Sequence, residues 1–227
     1  MSAENQNSLP DPRDQKRYQF GMTPFRRVVT PTLKILFRTS TIIHASGIDN
    51  LPNEGGVILA SNHLSVYDMF PIQFALPRPL FYMAKEELHQ NPVLDWIIRQ
   101  LGSFPVKRGA RDKWAIDHAK KVLRHGQVLG MFPEGTRSKG GLRTGKTGAA
   151  RLAISENCPI APLALEGTQA MFSGFPHRQS VSVTLGEPIF PQPGETTLAL
   201  TDRLMFTLAD LLPAELRGVY AEHPPGF

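Results

Sequence analysis

The chain has 227 residues, 41% of them hydrophobic and 20% charged, which suits one compact α/β body and excludes wholesale disorder. A single cysteine, Cys158, excludes a disulfide framework and a cysteine-based zinc site. The net charge is +5, yet Lys16, Arg17, Arg26, Arg27, Lys34 and Arg38 lie in one stretch from Gln15 to Ile48 that holds no acidic residue. The remainder is close to neutral, which argues against a surface coated for nucleic acid.

In chain order, residues 1–20 are polar and proline-bearing and lack the apolar core of a secretory signal, so a flexible N-terminus on a cytosolic chain is expected. No apolar run approaches the ~20 residues of a membrane-spanning helix. Residues 21–48 form a basic, amphipathic helical segment. On a helix from Phe25 to Ile43, Arg27, Lys34 and Arg38 share one side while Phe25, Val28, Val29, Leu33 and Leu36 lie opposite. Such a helix suits the headgroup region of an anionic bilayer, or it docks its apolar side on the protein's own core. Pro31, which lacks a donor, is expected to split or kink it near Thr30.

Residues 49–227 form the main domain. Apolar runs predict strands at Gly56 to Ala60, Leu80 to Ala84, Phe104 to Val106, Val128 to Phe132, Ile160 to Leu165 and Ser180 to Leu185. Helical patterns fall between them, at about Val66 to Ala75, Glu86 to Leu101, Arg111 to His125 and Thr147 to Glu156, with a last one from Thr196 to Leu212. This alternation predicts an α/β fold, a mostly parallel sheet flanked by helices. Ligands of such sheets bind beyond the carboxyl ends of the strands.

The residues at those ends are chemically pointed. His63 and Asp68 are five positions apart, about 140° around a regular helix, so they meet only if the chain turns between them. If it does, the aspartate fixes the imidazole tautomer and makes a general base. No G-x-S-x-G elbow occurs, Ser65 shows no sign of activation, and Cys158 reads as a small core residue. The hydroxyl to be activated is therefore expected on the substrate. Lys107, Arg108 and Arg137 suit a phosphate, Gly135 permits close backbone approach, and Glu134 is placed to orient an arginine or a substrate hydroxyl. Gly140 to Thr147 satisfies the G-x-x-x-x-G-K-[ST] phosphate-loop pattern, but the polar Thr136 to Lys139 precedes it where a buried strand is required.

Together these residues resemble the glycerophospholipid acyltransferase family, whose four blocks occur in order between Leu51 and Gly167. His63 to Asp68 matches its H-x-x-x-x-D block, and Phe132 to Ser138 matches its third. Phe104 to Arg108 and Pro159 to Ala164 look like the second and fourth, although Pro105 and Lys107 depart from the commonest second block. The family also has a glycine-rich basic stretch after the third block, which makes the phosphate-loop match coincidental.

The resemblance implies acyl transfer from acyl-CoA or acyl carrier protein to the sn-2 hydroxyl of lysophosphatidic acid, giving phosphatidic acid. His63 and Asp68 would be catalytic. Lys107, Arg108, Glu134, Gly135, Thr136, Arg137 and Pro162 would bind substrate, with no metal or other cofactor needed. A peripheral position on the cytoplasmic face of an anionic membrane follows from such an acceptor. Another lysolipid acceptor, or a non-catalytic lipid-binding module of the same fold, are the alternatives.

Overall fold

The computed structural model describes residues 11–107, 112–138, 140–173 and 177–223. Seven strands form one sheet: β1 (Thr41–Ser46), β2 (Val57–Ser61), β3 (Leu80–Lys85), β4 (Ser103–Val106), β5 (Val128–Met131), β6 (Ile160–Glu166) and β7 (Gln179–Leu185). Their spatial order is β1-β7-β6-β2-β5-β3-β4, parallel throughout except where β7 runs antiparallel to β6. The α-helices among the described residues are α1 (Pro24–Phe37), α2 (Met69–Ala75), α3 (Pro92–Gln100), α4 (Lys113–Arg124), α5 (Gly148–Glu156) and α6 (Thr197–Asp210).

The expected mostly parallel α/β sheet is therefore present. Its two cores follow from the period-two alternation of the central strands. Ile58 and Ala60 of β2 pack with Leu129, Phe104 and the helices α4, α5 and α6 on one face. Val57 and Leu59 pack with Leu80, Leu163 and the helices α1 and α2 on the other. Burying each such aliphatic side chain contributes about 1.5–3 kcal/mol. β2 is fully buried and flanked by β5 and β6, which follow it in sequence from either side of the switch point. The carboxyl end of β2 is thus where a ligand belongs in this topology.

Local chemistry adjusts several expected boundaries. The single helix expected from Glu86 to Leu101 divides into a 3-10 turn, Glu86–His89, and α3. Asn91 and Pro92 start α3 afresh, with Asn91 Oδ1 accepting from the amides of Val93 (3.0 Å) and Leu94 (3.1 Å). α1 continues through Pro31, so the helix is not split there. It ends at Phe37, and Thr41 to Ser46 form a strand parallel to β7 where the helix was expected to continue to Ile43.

Of the N-terminal residues expected to be flexible, 1–10 lie outside the described residues, whereas Asp11 to Phe20 is docked. Arg13 makes a two-point ion pair with Asp112 (2.6 and 2.9 Å), and Lys16 Nζ donates to Asp95 (3.0 Å). Trp114 Nε1 donates to Asp14 (2.7 Å), while the rings of Tyr18 and Phe20 lie against His118.

α1 docks part of its surface on the core and leaves other apolar side chains exposed. Arg26 and Phe37 are buried and Leu33 packs on the core, whereas Val28 (66%), Ile35 (69%) and Leu36 (61%) face outward. Arg26 leaves the exposed basic set, since its guanidinium donates inward to Gln73 Oε1 and to Leu80 O. Burial lowers its pKa to about 10. Among the described residues, no helix is long and apolar enough to cross a membrane.

Candidate active site

The turn after β2 brings His63 and Asp68 together. His63 Nδ1 lies 2.7 Å from Asp68 Oδ2. Asp68 is fully buried, and its carboxylate also accepts from the amides of Leu64 (2.8 Å) and Ser65 (3.0 Å) and from Thr168 Oγ1 (2.5 Å). The Asp68 carboxylate accepts the proton of Nδ1, which leaves Nε2 as the acceptor nitrogen. Val66 to Asp68 form a turn, so α2 begins only at Met69, three residues later than the pattern suggested. That turn is what cancels the angle separating the two residues on a regular helix.

Three contacts hold the loop itself. The buried Asn62 clamps β6, donating to Leu165 O (2.9 Å) and accepting from Leu165 N (2.8 Å). The His63 ring stacks on Phe132 at 3.9 Å between centroids. Glu134, also buried, accepts from the amide of His63 at one oxygen and from that of Arg143 at the other, both at 3.0 Å. Burial pushes its carboxyl above the ordinary glutamate value, and those two amides oppose the shift. Glu134 thereby ties the His63 loop to the loop preceding α5.

A cleft of about 460 Å³ opens over the carboxyl ends of β3, β4 and β5, lined by His63, Tyr82, Met83, Lys107, Phe132, Gly135 and Lys146, among others. Gly135 holds φ +69°, in the left-handed region, where a side chain is strained and where the Lys146 side chain already lies. Lys107 Nζ is 3.7 Å from Glu86, and its amide donates to Asp112 (2.8 Å), the residue that Arg13 also holds. Thr136 and Arg137 are exposed on the turn after the cleft wall. Arg108 lies outside the described residues. Pro162 is buried in β6, in register with Ala60, and does not line the cleft.

The roles of three contributors escaped the sequence reading. Phe132 is visible as the first residue of the third block but its stacking on His63 is not, and Thr168 gives no local signal beyond following a strand end. Lys146 did give one, as the lysine of the glycine-rich stretch Gly140 to Thr147. That stretch follows an irregular turn and leads into α5. Cys158 lies elsewhere, before β6, and burial raises its pKa to about 11.

Comparison with known proteins places the chain in a family. The acyltransferase family profile matches residues 42–166. The chain is similar to a 1-acyl-sn-glycerol-3-phosphate acyltransferase of Bacillus subtilis, at 28% identity over 69% of this chain and 78% of that protein. It is similar to one of Streptococcus pneumoniae at 32% identity, over 64% of this chain and 55% of that longer protein. In structure it resembles the 1-acyl-sn-glycerophosphate acyltransferase PlsC of Thermotoga maritima, with TM-score 0.67, 25% identity, and coverage of 80% of this chain and 76% of that one. The profile takes in nearly the whole run from β1 to the end of β6, including the turn that pairs His63 to Asp68, and the chain belongs to the acyltransferase family.

Proposed function

We propose that the protein moves a fatty acyl group from acyl-CoA or acyl carrier protein to the sn-2 hydroxyl of lysophosphatidic acid, yielding phosphatidic acid. The observation that carries this reading is the His63–Asp68 pair at the cleft wall, made without an activated protein nucleophile beside it. Ser65 Oγ accepts from the Tyr67 amide, and Cys158 is buried elsewhere.

In this mechanism Nε2 of His63 takes the proton of the acceptor hydroxyl as its oxygen attacks the thioester carbonyl. Asp68 accepts from Nδ1 and stabilises the imidazolium that forms. The tetrahedral adduct then expels the thiolate, which recovers the proton from Nε2. No covalent acyl-enzyme is needed. Arg137, with Arg108, holds the acceptor phosphate, Lys107 adds positive charge farther along the cleft, and Glu134 and Gly135 shape the wall on which the phosphate rests.

An acceptor with a long acyl tail resides in a bilayer, and α1 is the element suited to meet it. Val28, Ile35 and Leu36 project outward beside Arg27 and Arg38. The exposed Val93 and Trp96 of α3 extend the apolar patch, with Trp96 packed on Phe25 of α1. The protein is accordingly peripheral, on an anionic leaflet.

Thiol release measured against a panel of lysolipids and acyl donors tests the reaction. Transfer to lysophosphatidic acid is expected, with His63→Ala slower by ~10²–10⁴-fold. Turnover of a purified, folded His63→Ala protein at the wild-type rate would remove the mechanism.

A further inference from the structure

The stretch Gly140 to Thr147 matches a nucleotide phosphate loop in sequence, and the structure puts its lysine in the cleft that His63 lines. Lys146 is anchored by its backbone, whose amide donates to Pro133 O (2.8 Å). Its side chain runs across Gly135. A Cβ at Gly135 would lie 2.7 Å from Lys146 Nζ and 3.1 Å from Cε, so the missing side chain at that position is the space the ammonium occupies. Gly135 in turn donates to the carbonyl of Phe132 (2.9 Å), and Phe132 is the ring stacked on His63. One tight turn therefore links the base to this cation. Among the described residues, no carboxylate forms an ion pair with Lys146.

Reach separates Lys146 from the other cation of the cleft. His63 follows β2 and Lys107 follows β4, and β5 and β3 lie between them in the sheet. Three strand spacings put those two strand ends about 14 Å apart. In a glycerol-3-phosphate acceptor, by contrast, only four covalent bonds separate the sn-2 oxygen from phosphorus. A phosphate whose neighbouring hydroxyl touches His63 must therefore sit close to the base, on the Phe132–Gly135 turn. Lys107 also faces Glu86, whereas Lys146 brings its whole charge to the cleft.

We infer that Lys146 is a phosphate-binding, specificity-determining residue of this site. Its ammonium holds the phosphate monoester of the acceptor on the inner side, next to the reacting hydroxyl, and selects acceptors that carry that group. This rests on the acyl-transfer reading above and assigns within it a residue that the four sequence blocks leave out. Gly135 is then small for a second reason besides its positive φ, because any side chain there displaces the ammonium.

The test compares two acceptors that differ only in the phosphate, 1-acylglycerol-3-phosphate and the 1-acylglycerol of the same chain, each with the donor that supports wild-type transfer. In the full-length Lys146→Met protein, kcat/KM for the phosphate-bearing acceptor is expected to fall ~10- to 100-fold. The preference for phosphate over no phosphate should fall by a similar factor, and the donor KM should move by less than about twofold. Lys146→Arg, which keeps the charge, should recover most of the preference, and Lys107→Met should lower it less than Lys146→Met does. An unaltered preference in Lys146→Met, in a protein that melts like wild type, overturns the assignment while leaving acyl transfer standing. Failure of the wild type to acylate either acceptor instead overturns the acyl-transfer reading and this inference with it.

Discussion

Asp68 accepts from three donors besides the imidazole, and one of them belongs to a residue a hundred positions away. Thr168 is fully buried just after β6, beyond Gly167, whose positive φ of +79° lets the chain turn tightly against Ser180. A threonine held that rigidly fixes the carboxylate and, through it, the ring. Thr168→Val keeps the shape and removes the donor. The expected result is a kcat lowered roughly tenfold with both KM values nearly constant, since a hydrogen bond to a charged group is worth about 1.5–3 kcal/mol. Thr168→Ser should restore kcat. A variant whose KM rises while kcat holds would place Thr168 in binding instead of in orienting the base.

The helices α1 and α3 carry the proposed membrane contact, and the structure changes which of their residues should be tested. Lys34 donates to Phe74 O (2.7 Å), near the carboxyl end of α2, so reversing its charge would disturb packing as well as surface charge. Arg27 and Arg38 are exposed and carry no such duty. Arg27→Glu with Arg38→Glu should weaken binding to anionic vesicles by at least about tenfold, at about 1 kcal/mol per basic residue near the surface, and should spare neutral vesicles. Val28→Ser with Ile35→Ser should weaken binding to both kinds, because apolar burial does not depend on lipid charge. Sedimentation with vesicles of each composition separates these outcomes. Wild-type binding by both double mutants would move the contact off α1.

At the level of the whole molecule, the docked N-terminal segment makes stability depend on acid. His118 of α4 is enclosed by Tyr18, Phe20, Phe104 and Trp114, and burial lowers its pKa to about 4, with Lys121 adding to the shift and Asp14 opposing it. In the unfolded chain the same histidine titrates near the usual 6.5. Between those values the unfolded state binds the extra proton, so stability is complete above about pH 6.5 and declines as the pH falls toward 4. The loss amounts to about 3 kcal/mol across that window. Buried His89, also lowered by desolvation, adds in the same direction. Urea unfolding at stepped pH should show this slope, and His118→Phe should flatten it by up to about 1.4 kcal/mol per pH unit. An equal slope in the variant would assign the acid sensitivity elsewhere.

Much of this protein is legible along the chain because the relevant signals are local. Apolar runs bounded by glycine and polar residues place the strands β2 to β6 within a residue or two, since a buried parallel strand is nearly continuously apolar, and the alternation of Ser180 to Leu185 places β7. His63, Asp68 and the Phe132 to Ser138 turn are visible because each block is short and delivered by one strand end. What the sequence left undetermined is what distant segments decide together. Ile42 and Ile43 extend the apolar pattern of α1 on paper, and only pairing with β7, some 140 residues on, makes them a strand. Arg26 looks like one more surface cation until α1 docks and turns it toward Gln73 and Leu80. Thr168 has no distinguishing neighbour in sequence, and Lys146 belongs to a motif whose nearest match is a different chemistry. Register, docking and the crossing of β2 between β5 and β6 bring those two side chains to the base. Such contacts depend on the free energy of packing distant faces, which no window of a dozen residues contains.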